Sequence, residues 1–158
     1  MKNSLMKLLS LLTISFLMVA CFRGGDVSLV KNGVLGINDS ITVGEAIDNY
    51  KYFKDVKWES FKTDNGRRVV QVTGNLNLND LKKVSKNKWM LEGLLKKGYI
   101  EADIIFQFLI SKDRKKFKLY TEAVNFYKKD RKIEHGNDLS LSDALHDLKL
   151  IYNNESIL

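Results

Sequence analysis

The 158-residue chain contains no proline and a single cysteine, Cys21. The first absence excludes a proline-rich spacer or recognition stretch, because such segments depend on the fixed φ of the proline ring. The second excludes an intramolecular disulfide, although exported domains often carry cysteines in pairs. Histidine is also scarce, with only His135 and His146. A zinc site needs three or four converging ligands, so two separated histidines predict ordinary surface residues and no metal site. No G-x-S-x-G elbow is present for a serine nucleophile. No phosphate loop is present either: Gly33 and Gly36 lack the strand-then-helix context that fingerprint needs.

Hydrophobic residues make up 44% of the chain and aromatics 10%, which is globular composition. The formal net charge is +7. Lys2 and Lys7 are the only charges in the first twenty residues, so the remainder keeps +5. That balance favours anionic partners such as lipid headgroups and says nothing of fold.

The N-terminal segment has the parts of an export signal. A short basic start ends at Lys7, and an apolar run of 13 residues follows from Leu8 to Ala20. The run is too short for a transmembrane helix, which needs ~20 apolar residues. Met18-Val19-Ala20-Cys21 resembles the lipobox of bacterial lipoproteins, with Met in place of the usual Leu. The resemblance implies cleavage before Cys21, a thioether-linked diacylglycerol on its sulfur and acylation of its new amine. Two or more chains give stable anchoring, at ~0.8 kcal/mol per buried CH₂. Phe22 follows the cysteine. The missing Asp at that position favours the outer membrane if the cell is Gram-negative.

Past Cys21, the Gly-rich stretch 21–38 predicts a lipidated tether and entry segment, with a short strand around Val27, Leu29 and Val30. Thr42 and Glu45 fit a capping box opening a helix whose apolar stripe is Val43, Ala46, Ile47 and Tyr50. Residues 56–63 read as a strand. Asn65-Gly66 then marks a hairpin with a type I′ turn, and 67–78 returns as a strand with Val70, Val72, Leu76 and Leu78 on one face. Trp58 and Phe61 are three apart, and a bulge near Glu59-Ser60 would bring them to one face. Residues 80–97 follow no single period and suggest a helix or two short turns. Residues 100–111 alternate strictly, the mark of a strand with one face buried. The run 112–115 is a turn and 117–127 a partner strand. His135-Gly136-Asn137-Asp138 reads as a loop. Leu139 to Asp143 opens a second capped helix with the stripe Leu141, Ala144, Leu145, Leu148, Ile151 and Tyr152.

The two helix starts, near Asp39 and Asp138, share an order of apolar, hydroxyl, small and acidic residues. Any well-capped amphipathic helix has that order, so it does not require an internal repeat. Glu101 and Asp103 share one strand face, with Glu122 on the partner strand. Converging carboxylates could do acid–base work on a glycan. More often they balance cross-strand lysines such as Lys118. Lysines cluster at 82–97, at 112–118 and at 128–132. Near an anionic membrane each is worth ~1 kcal/mol, and the plain alternative is a solvated face.

Ser40 to Ala46, Trp58 and Asp64 to Val70 resemble a pattern in small uncharacterised bacterial envelope lipoproteins, over roughly residues 27–78. That resemblance implies no activity. The plan of a capped helix followed by antiparallel strands resembles the two-layer α+β lipoproteins of outer-membrane assembly at fold level only.

These readings give one expectation: a signal at 1–20, a tether at 21–38 and a single α+β domain at 39–158. The domain is a two-layer fold, an antiparallel sheet of four or more strands with two capped helices packed on one face. The expected function is non-enzymatic: a lipid-anchored envelope protein, lipidated at Cys21, that binds a protein or surface partner. No cofactor, catalytic residue or nucleic-acid partner is expected. The alternatives are a cell-wall glycan enzyme or an inhibitor of one, and a purely structural surface lipoprotein.

Overall fold

The structure, a computed structural model, describes residues 25–129 and 133–158. The signal expected at 1–20 and its boundary at Cys21 lie outside those residues. Residues 25–31 form a helix, α1, followed by α2 (Val43–Asp48), β1 (Asp55–Lys62), β2 (Arg68–Asn77), α3 (Leu78–Val84), α4 (Lys88–Lys96), β3 (Tyr99–Ile110), β4 (Phe117–Lys128), β5 (Ile133–Leu139) and α5 (Leu141–Tyr152). The strands form one antiparallel sheet in the order β1-β2-β3-β4-β5. The fold is the expected two-layer α+β arrangement, with α2 and α5 capped as the sequence predicts. Thr42 Oγ1 accepts from the Glu45 amide at 3.1 Å, and Glu45 Oε2 accepts from the Thr42 amide at 2.9 Å. Ser140 Oγ accepts from the Asp143 amide at 3.3 Å.

The core follows from alternation. Val70, Val72 and Leu76 of β2 lie inward beside Ala102, Ile104, Phe106, Phe108 and Ile110 of β3. Val43, Ile47, Leu81, Leu91, Ala144, Leu148 and Ile151 close over them from the helices. Each large side chain buried here contributes ~1.5–3 kcal/mol. Gly74 interrupts the inward row of β2 because the Phe53 ring occupies the place of its side chain.

Several sequence expectations change. The stretch around Val27 to Val30 is helix α1 and not a strand, because burying Val30 completely against the core outweighs the β-propensity of its valines. The core cluster draws on residues 30 to 157, so the folded unit reaches back into the stretch expected to be tether. The β1–β2 hairpin forms, but Gly66 alone takes positive φ, at 73°. Asp64-Asn65 makes the turn and Gly66 is the left-handed residue after it. The β1–β2 register runs without a break. Trp58 therefore lies on the helix side and Phe61 on the opposite face, with no bulge to join them. Residues 80–97 become two short helices, and the Asn77 side chain caps the first by accepting from the Asn79 and Asp80 amides. The expected loop at 135–138 is part of β5, whose pairing with β4 supplies the backbone hydrogen bonds its polar sequence does not advertise. In α5, Leu141 and Leu145 are exposed, while Ala144, Leu148, Ile151 and Tyr152 are buried.

Candidate functional site

Among the described residues all the core-forming helices lie against one face of the sheet, and the outward residues of the strands stay outside the core cluster. That outward face is organised in rows by the strand register. Phe61, Val69 and Leu109 form an apolar row. Below it, Gln71 Nε2 donates to Glu59 Oε1 at 2.9 Å, and Gln107 Nε2 donates to Gln71 Oε1 at 2.9 Å. Thr73, Ile105 and Ala123 form the third row. In the fourth, Asp103 accepts from Asn75 Nδ2 at 2.8 Å and from the Tyr127 hydroxyl at 2.8 Å. Side chains tied to one another in this way lose less freedom when a partner binds them.

β4 carries a bulge here. Gln107 pairs with Thr121 but Phe108 pairs with Leu119, so Tyr120 is an extra residue. Tyr120 is 46% exposed. Together with Ile105, Gln107, Thr121 and Ala123 it lines a depression of about 450 Å³ on the open face.

The same bulge separates the three carboxylates that could have formed a glycan-cleaving site. It switches the alternation of β4, so Glu122 turns inward opposite Phe106, while Glu101 and Asp103 stay on the open face. Glu101 pairs with Lys54 at 3.7 Å rather than with Lys118. Asp103 is used by Asn75 and Tyr127. The three do not converge.

Glu122 is instead fully buried beneath α5, and neither of its oxygens meets a hydrogen-bond partner among the described residues. Burial, and then the nearby carboxyl of Asp147, push its pKa up to about 8. Burial also raises Asp147, with exposed His146 working in the opposite direction. A carboxyl in this setting is protonated near neutrality and acts as a neutral polar group. Among the described residues no group of three His, Cys, Asp or Glu is placed to hold a metal ion. No helix among them is long and apolar enough to cross a membrane.

A second buried carboxylate, Asp26, was not singled out by its sequence position in a Gly-rich stretch. It accepts from Arg68 Nε at 2.7 Å and from Arg114 Nε at 3.0 Å. Which arginines reach it is a tertiary fact, since they lie 42 and 88 positions away. At the other end of α1, Trp58 Nε1 of β1 donates to Asp48 Oδ1 at 2.7 Å, and Lys31 lies over the indole ring while pairing with Asp48 at 2.6 Å. These contacts give Trp58 a structural role on the helix side.

No protein family, curated protein or solved structure matches the chain.

Proposed function

We propose that this is a lipid-anchored cell-envelope protein, non-enzymatic, that binds a protein partner through the open face of its sheet. The sheet face that the described helices leave open carries the reading. It spans four strands, holds its polar side chains in hydrogen-bonded rows, and offers Phe61, Tyr120 and Ile105 as apolar contacts between them. Interfaces gain most from such rigid aromatic anchors set in a polar surround. The anchor in this reading is Cys21, with the lipobox before it in sequence.

A photocrosslinking residue placed at Tyr120 in living cells should yield one discrete adduct, and the same residue at exposed Lys149 on α5 should yield none. Adducts from Lys149 alone would defeat the reading. For the anchor, Cys21→Ser should abolish incorporation of radiolabelled palmitate, and labelling that persists in that variant would refute it.

A further inference from the structure

Asp26 ties the start of the fold to one end of the sheet. Arg68 begins β2 and approaches Asp26 with Nη2 at 2.6 Å; Arg114 lies in the β3–β4 turn and approaches with Nη2 at 3.0 Å. A Cβ on Gly25 would lie 3.0 Å from Arg114 Nη2. The chain therefore enters the fold beside both hairpin turns.

Around this clamp the two turns, residues 62–68 and 111–118, hold six more bases: Lys62, Arg67, Lys112, Lys115, Lys116 and Lys118. All six are exposed, and none pairs with a carboxylate among the described residues. Against them the turns offer Asp64 and Asp113. Asp113 is occupied by the Ser111 hydroxyl and the Lys115 amide, which hold its carboxyl below the usual range. Between the turns runs a groove of about 860 Å³. Three lysines at the far end of the sheet are paired. Lys82 pairs with Glu92 at 3.1 Å, Lys83 with Asp80 at 2.6 Å and Lys86 with Glu155 at 3.8 Å. Among the described residues Lys88, Lys96 and Lys97 near that end also form no ion pair, so the pole where the chain enters, with six such bases, carries the larger uncompensated charge.

Cys21 precedes Gly25 by four residues, a span of at most ~14 Å at full stretch. That is comparable with the ~8 Å over which charges act at physiological salt. An anchor at Cys21 would hold this pole, and not the far one, against the bilayer. We infer that the basic pole is a docking surface for an anionic lipid bilayer. Docking there stands the domain on its hairpin turns, with the strands running away from the membrane and the open face turned sideways to a partner. The inference rests on the anchored reading above, but its surface chemistry can be tested without the anchor.

The probe is the chain from residue 21 onward with Cys21→Ser, mixed with vesicles of phosphatidylcholine containing about one third phosphatidylglycerol. It should sediment with these vesicles and not with pure phosphatidylcholine. Each basic residue at such a surface is worth about fivefold in partitioning, so K112Q/K115Q/K116Q should weaken binding about a hundredfold. K82Q/K83Q/K86Q removes the same formal charge from the paired lysines of the far pole and should leave binding nearly unchanged. Equal losses from the two triple variants, equal binding to neutral vesicles, or no binding to the anionic ones would each overturn the inference. Palmitate incorporation by the whole chain is scored separately. Its absence would remove the anchor while leaving the vesicle result standing.

Discussion

Two carboxylates are buried among the described residues, and they are solved in opposite ways. Asp26 is 3% exposed and faces two guanidinium groups, each donating to one of its oxygens. Glu122 is 0% exposed and faces another acid, Asp147, with burial itself as the main influence on its proton. A buried charge is tolerated when it is paired and hydrogen-bonded, and otherwise the group neutralises itself by holding its proton. Asp26 takes the first route and fastens α1 to both hairpin turns. Glu122 takes the second and leaves the α5–β4 contact dependent on pH. Burial of a carboxyl therefore has no single meaning. One acid here is a structural rivet, and the other is a group whose charge state the fold has set.

Loss of the anion at Asp26 should cost the most stability. Asp26→Ala leaves Arg68 and Arg114 facing each other with no anion between them. Removing one partner of a buried pair costs about 3 kcal/mol or more. Urea unfolding should show a loss of that size, and a loss below about 1 kcal/mol, the range of exposed pairs, would mean that the clamp is held together by the turns instead.

A smaller effect of the opposite sign is expected at Glu122. Its folded pKa of about 8 lies above the ordinary 4.5. Between those values the folded protein holds a proton that the unfolded chain has released. Stability is therefore full below pH 4.5 and falls as pH rises toward 8. Glu122→Gln keeps the shape and cannot ionise. It should be near neutral at pH 5 and increasingly stabilising up to pH 8, by at most ~1.4 kcal/mol for each pH unit crossed. A variant with the same pH profile as the parent would show that Glu122 is not the titrating group.

Much of the fold is legible in the sequence because its signals are local. The strict alternation of β3 and the Thr42–Glu45 box each act within a few residues, and each appears in place, while the hairpin marked by Asn65-Gly66 forms with its turn one residue earlier, at Asp64-Asn65. The misses have a common physical cause, which is that tertiary contacts decided them. A single bulged residue, Tyr120, inverts which side chains of β4 point inward, and no alternation rule foretells an inserted residue. That one step carries Glu122 away from Glu101 and Asp103 and beneath α5. Val27 to Val30 has the residues of a strand but is wound into a helix by what it packs against. The open face was legible as alternation, whereas its hydrogen-bonded rows depend on register between strands and could be read only from the assembled sheet.

The finest test separates the two influences on Glu122. Burial is the larger and the Asp147 carboxyl the smaller. Asp147→Asn removes the neighbouring negative charge and leaves the burial almost intact, because α5 still covers the site. If burial dominates, the variant should keep more than half of the parent's loss of stability between pH 5 and pH 8, with the midpoint moved toward lower pH. Because Asp147 is itself raised, its replacement also removes a second titrating group, so the comparison needs the double variant with Glu122→Gln. In that double variant the slope should vanish. If Asp147→Asn alone flattens the profile, the two acids titrate as one unit sharing a proton, and Glu122 would owe its protonation to its neighbour rather than to the core around it.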